Sequence, residues 1–371
     1  MALLLLLCLF SHLLHKKHRA RALLAQKSLA VILLAHLRAT PSSPSEQTPT
    51  EEQKKQEEQK TPEQSNNSQT GTPSTGGGQP SSDGNNGGTT PPPSPPPLTP
   101  PPSGIQSCPA YPAFPDENCT GVPAGVTLSA VSNLTTSADG QTITGLSING
   151  DLVLDHNNVT VTNSRIKGRV VPNGHSGLTL RDVDIGGDSC PSSTNGGTRL
   201  VAGNDFTLTR VHAHHNGADF IALSGGGAIT IQDSLLNNTC FYDGDHLDAV
   251  QYYDPGGVIN VTLIHNKIDA RPVNGGDYGN AAIFIADFPG SGSQFNIYNN
   301  FLAGGNYTLY ALDAFSGSGV IIDVAGNKFL RDQYRYGPCA LSNSDAFDGT
   351  SGIKWTNNSY SDGAAIAITD C

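Results

Sequence analysis

From residue 141 onward the chain repeats an eight-residue pattern of apolar and polar positions, at 141–148, 159–166, 178–185, 206–213, 229–236, 261–268, 295–302, 322–329 and 353–360. The first and third positions are apolar, the second and fourth mostly polar, and the fifth commonly Asn or Asp. Alternation with period two buries one face and wets the other, which predicts a strand. A second short apolar run lies between successive octets, beginning near residues 152, 169, 199, 220, 249, 282, 308 and 339. Each repeat therefore holds at least two strands separated by Gly, Asn and Asp turns. Strands this short cannot bury their apolar faces alone, so the units must stack.

Two positions of the octet have structural readings. Asn163, Asp182, Asp233, Asn299 and Asn357 at the fifth position are expected where the chain bends, their side chains satisfying backbone groups. Thr142, Thr160, Thr179, Thr207, Thr230 and Thr262 at the second form an outward file. A flat ice-binding face is the bolder reading of that file, and strand propensity alone accounts for it.

The run VTVTNSRIKG at 159–168, followed by LTLRDVDIGG at 178–187, resembles the right-handed parallel β-helix of the pectate-lyase-like superfamily, over residues 141–371. The resemblance implies an all-β fold: a single-stranded right-handed parallel β-helix, or solenoid, of about nine coils. It also implies a polysaccharide as substrate or ligand, but not one reaction, because this coil serves lyases, hydrolases, epimerases and binding proteins. Arg165-Ile166-Lys167 is similar to the Arg-Ile-Lys of polygalacturonases, yet it comes far too early and without its partners. The arginine motif of the common pectate lyases has no match.

Composition sets the boundaries. Residues 40–103 are almost entirely Pro, Ser, Thr, Gly, Gln, Asn, Glu and Lys, which predicts a disordered linker with an extended Pro-rich end. Residues 1–39 combine apolar runs with a basic patch and are expected to be a signal peptide, with an uncleaved membrane anchor as the alternative. Residues 104–371 are the folded domain, with 104–140 expected to cap its open first coil. The formal net charge is −11 and the acidic excess lies after residue 103, where Glu117 is the only glutamate; nonspecific nucleic-acid binding needs a basic face and is excluded. Beyond Cys8 the chain has Cys108, Cys119, Cys190, Cys240, Cys339 and Cys371, with no zinc-type spacing. Three disulfides and an extracellular location are expected, the chain acting as a monomer that meets a membrane only through its leader. Cys108 with Cys119 is the pairing that proximity suggests.

The loops carry the candidate chemistry. Long connections at 186–198 and 237–248 flank the short HHNGAD segment, which predicts a cleft with His214, His215 and Asp219 as its floor. A Cys190–Cys240 disulfide would tie the two walls. Aligned coils place Asp219 and Asp248 about 5 Å apart. This pair suggests a shared proton, a bound cation or a glycosidase pair, unless both simply cap turns in a file with Thr198 and Asn280. Five of the seven histidines in the folded region lie between residues 212 and 265.

A neutral imidazole can remove the proton alpha to a uronate carboxylate, with Lys267, Arg271 or Arg210 stabilising the enolate. The expected activity is β-elimination on a uronic-acid polysaccharide, with His246 foremost. Ca²⁺ is the one cofactor expected, on Asp243, Asp245 and Asp248. The other readings are a noncatalytic glycan-binding or adhesin module, and a β-helical glycoside hydrolase or epimerase.

Overall fold

The octets stack in strict register. In the computed structural model the second positions run Thr142, Thr160, Thr179, Thr207, Thr230, Thr262, Asn296, Asp323, Lys354, each beside the next in parallel strands. The intervening apolar runs form a second parallel sheet of nine strands, through Leu134, Leu152, Val170, Val201, Ile221, Val250, Ile283, Leu309 and Cys339. Nine complete octets on one ladder make the domain a parallel β-helix. The structure describes residues 107–371 except 194–197, 253, 255–256, 276–277, 286–288, 313–318 and 342–345. The expected leader and linker lie outside the described residues. Among the described residues no helix is long and apolar enough to cross a membrane.

The fifth position bends every octet. Gly145, Asn163, Asp182, Arg210, Asp233, His265, Asn299, Gly326 and Asn357 all have left-handed backbone, φ from 48° to 68°. Glycine tolerates that region without cost, and Asn or Asp more readily than other side chains. The bend divides seven of the octets into two short strands, while Thr160–Ile166 and Leu178–Gly186 run through it unbroken. Apolar residues of both halves, such as Val161, Leu180 and Ile231 of the first and Ile166, Ile185 and Ile268 of the second, fill the interior with no measurable exposure.

The residue after the bend is polar and buried in the later coils. Asn266, Asn300 and Asn327 have no exposed surface. Each Nδ2 donates to a carbonyl of the preceding coil, at Ile231, Leu263 and Ile297. Each Oδ1 accepts the backbone N–H at the same position one coil back, from Ser234, Asn266 and Asn300, at 2.9 Å. Asn358 ends the ladder by accepting from the N–H of Asn327. Amide side chains here saturate backbone groups that the bend removes from the sheets.

Residues 104–140, expected as a cap, divide in two. Ser129–Val131 and Leu134–Thr135 pair with Leu146–Ile148 and Leu152–Val153, adding an incomplete rung at the open end. Residues 108–121, closed by a Cys108–Cys119 disulfide, instead lie as a strap along the bends of later coils. The bend residues draw it there: Gly121 N–H donates to Arg210 O, His265 Nε2 to Ala113 O, and Tyr111 Oη to Gly326 O, each at 2.9 Å. Phe114 packs on the rings of His265 and Phe301.

Two outcomes are expected. Asn300→Ala strands the Asn266 N–H and the Leu263 carbonyl in the core, and should lower unfolding free energy by about 2–3 kcal/mol in a denaturant titration. His265 controls the strap. Burial disfavours its charged form, but the Asp233 carboxylate 2.6 Å from Nδ1 and the Ala113 carbonyl outweigh this and raise its pKa. A raised folded pKa gives stabilisation that is complete below about pH 6.5 and lost as pH rises through the folded value. Amide exchange at residues 108–121, corrected for intrinsic rates, should therefore accelerate relative to the coils above neutrality. Protection unchanged across that range would contradict this role.

Candidate functional site

Outward positions on the second half of each octet also fall into files. The seventh position runs Ser147, Arg165, Asp184, His212, Leu235, Lys267, Phe301, Lys328, Ser359. Arg165, Asp184 and His212 thus stand on three consecutive coils. Two residues on, Lys167 and His214 flank Gly186, whose missing side chain is essential: a Cβ there would sit 1.8 Å from the His214 carbonyl oxygen.

These side chains form one network. His214 Nε2 lies 3.0 Å from Asp184 Oδ2, and His214 Nδ1 lies 2.8 Å from His215 Nδ1. His212 meets Asn237 Oδ1 through Nε2 at 2.9 Å and turns Nδ1 towards Asp184 Oδ2 at 3.7 Å. Arg165 Nε is 3.0 Å from Asp184 Oδ1 but off the line that a hydrogen bond needs, so this is a charge contact. Arg165 and Lys167 also grip the exposed Asp188, at 2.7 and 2.8 Å.

Burial pushes the Asp184 carboxyl up, but the His214 hydrogen bond and the charges of His214, Arg165 and His212 together hold it below the usual range. Burial, then the charge of His214, lowers both His212 and His215. His215 is half-buried with left-handed backbone, φ 50°, which is uncommon for a residue other than glycine, Asn or Asp.

The two walls are joined to each other. Cys190 and Cys240 are joined, and Tyr242 Oη donates to Pro191 O across the same gap. With Cys339–Cys371 this makes three disulfides, the mark of an oxidising compartment. A recess of about 200 Å³ beside the first wall is lined by Asp151, Lys167, Arg169, Ser189, His215 and Asn216, among others. Further along the same face, Lys267 lines a recess of about 170 Å³ with Asp116, Glu117 and Asn118 of the strap, and a groove of about 700 Å³ with Arg271, Tyr278 and Gln333.

Of the residues expected from sequence, His214 and His215 fall in the network. Lys267 lies two coils away near the Phe301 ring, and Arg271 is held bidentate by Asp269. Arg210 is buried in a bidentate pair with Asp182 at the bend. His246 and Asp243 are exposed on the second wall, and no group of three potential metal ligands among the described residues includes Asp243, Asp245 or Asp248. The group that does converge is Asp184, His212 and His214. Asp184 and Asn237 were not among the expected residues, His212 was counted only within the histidine cluster and Arg165 was read only as part of Arg-Ile-Lys; the seventh octet position aligns Arg165, Asp184 and His212.

Asp219 and Asp248 are buried, and both bond to the next coil. Asp219 Oδ1 accepts the Asp248 N–H at 3.0 Å, and Asp248 accepts from Asn280 Nδ2 at 3.1 Å. Register corrects the expected file. Val201, Ile221 and Val250 align, which sets Arg199 rather than Thr198 level with Asp219, and Asp248 pairs with Ala281 rather than Asn280. Arg199 Nε reaches Asp219 Oδ2 at 3.2 Å. Burial, then the charge of Asp219, pushes Asp248 well above the usual carboxylate range; Asp219 is raised chiefly by burial.

No protein-family model matches this chain, and no curated protein matches it. Among solved structures, that of QnrB1, a plasmid-mediated fluoroquinolone resistance protein, aligns with 59% of this chain and 94% of its own at 10% identity and a TM-score of 0.17. So low a score carries no argument, and the β-helix rests on the strand register above.

Asp248→Asn keeps an acceptor for the next coil and removes a buried charge. It should raise stability at neutral pH by about 1 kcal/mol, a midpoint about 2–4 °C higher. The wild type should also lose stability as pH rises through the raised folded pKa, because its native state binds the extra proton, and the variant, which keeps only the raised Asp219, should lose less. A destabilised Asp248→Asn variant would contradict this account.

Proposed function

We propose that the protein is a polysaccharide lyase acting by β-elimination on a uronic-acid-containing glycan, with His215 as the base. The supporting observation is a row of groups that opens onto a recess lined by Lys167 and Arg169, each paired with a carboxylate, Asp188 and Asp151. With His214 neutral, Asp184 accepts from His214 Nε2–H, and His214 Nδ1 accepts from His215 Nδ1–H. This proton order leaves the lone pair on His215 Nε2. His215 lines the recess together with Lys167 and Arg169. A uronate carboxylate replaces the exposed Asp188 as the partner of Lys167, and the cation stabilises the negative charge that develops beside it. His215 Nε2 takes the C5 proton, the C4–oxygen bond breaks as the C4–C5 double bond forms, and the departing oxygen is protonated by the Lys167 ammonium or by water. Drug-sized pockets measure about 300–1,000 Å³, so this smaller recess suits a single sugar residue at the reacting position. Three disulfides fit work outside the cell.

The test incubates the full chain with a panel of uronic-acid polymers and follows the ultraviolet absorbance of the unsaturated product. Turnover is expected, with His215→Gln losing about 10²–10⁴-fold and His246→Gln remaining within a few-fold of wild type. New reducing ends without absorbance would overturn the lyase in favour of a hydrolase. Binding without turnover would overturn it in favour of a glycan-binding module.

A further inference from the structure

The geometry points to Asp184, His212 and His214 as a binding site for a divalent transition-metal ion of the Zn²⁺ type. Their ligand atoms all lie within 4.8 Å of one another, the shortest separations being 3.0 Å from His214 Nε2 and 3.7 Å from His212 Nδ1 to the same Asp184 oxygen. Tetrahedral ligands about 2.1 Å from a zinc ion stand about 3.4 Å apart. Two of the three separations are therefore within a few tenths of an ångström of the spacing that an ion imposes, and the third is no more than 4.8 Å. Two imidazoles and one carboxylate suit zinc, iron or nickel, whereas calcium and magnesium take oxygen donors. Three protein ligands leave a fourth position for water.

Atoms facing away from the common point provide the second observation. His212 Nε2 is held by Asn237 Oδ1, His214 Nδ1 by His215 Nδ1, and Asp184 Oδ1 by the charge of Arg165. Outer partners of this kind fix the ring tautomer of a ligating histidine and raise its basicity. Here they leave His212 Nδ1, His214 Nε2 and Asp184 Oδ2 as the three atoms that converge. The backbone holds them firmly. His212 and His214 share the strand His212–His214, and Asp184 pairs directly with His212 on the preceding coil.

Loading this site has a consequence for the base, which rests on the function proposed above. An ion takes the lone pair of His214 Nε2, so the His214 proton moves to Nδ1 and is donated to His215 Nδ1. His215 then carries its own proton on Nε2 and cannot accept one from substrate. Metal-loaded and base-competent forms exclude each other.

The test uses the full chain, stripped with a chelator and titrated with Co²⁺ followed by absorption and with Zn²⁺ by calorimetry. One equivalent is expected, with the d–d bands of a low-coordinate cobalt site. Binding should vanish in Asp184→Asn and His212→Ala, weaken about 10–100-fold in Asn237→Ala, which removes only an outer partner, and persist when Asp243 and Asp245 are both replaced by Asn. No saturable binding by the wild-type chain would overturn the proposal, as would binding unaffected by Asn237→Ala or lost with Asp243 and Asp245. These readouts do not depend on glycan turnover, so an inactive protein that binds cobalt through Asp184 retains the site and discards only the lyase.

Discussion

The left-handed bend at the fifth octet position is the constraint on which the rest of this β-helix depends. A coil cannot turn from one face to the next without it, and turning removes backbone donors and acceptors from the sheets. The chain meets both demands in adjacent residues: one that tolerates positive φ, then, in the later coils, a buried amide that saturates the freed groups. Fixing the bend at the same place in nine coils fixes register everywhere else. Register in turn puts Arg165, Asp184 and His212 in line across three strands, where sequence separates them by 19 and 28 residues.

Much of this was legible in the chain. Period-two alternation gave the octets, and Asn and Asp at the fifth position marked the bend. The buried Asn266, Asn300, Asn327 and Asn358 were not, because an amide within a half-buried strand reads as an outward residue until its coil neighbours are known. The site shows the same division. Loop lengths singled out His214 and His215, which the fold brings into the network with Asp184, and with them Asp219, which it ties instead to Arg199 and to the Asp248 N–H. Asp184 and His212 sit inside strands, where a polar residue looks like ordinary solvent-facing alternation. Asp219 and Asp248 were read one residue out of register on their flanks, and the neighbour that distinguishes a structural role, Arg199, was missed for that reason.

Charge in the site is balanced locally. Asp184 meets two histidines and Arg165, and Asp188 meets Arg165 and Lys167, so an acidic protein carries a small patch whose cations are occupied by its own exposed carboxylate. Asp188 costs little to displace because its ion pairs lie in water. The Cys190–Cys240 bridge ties the loop that follows this patch to a loop two coils on.

The strap along the bends sets an order of assembly. Neighbouring coils join residues 18 to 34 apart, so a chain emerging amino end first can stack them one at a time. Tyr111 and Gly326 are separated by 215 residues, and Ala113 and His265 by 152. The first described residues therefore have no place to rest until most of the helix exists behind them. Closing the strap is a late event with the loop-closure entropy of a long segment. Once closed, it converts a stack that could fray from either end into a single unit spanning five coils, and its release becomes a step that unfolding from the middle or the ends must include.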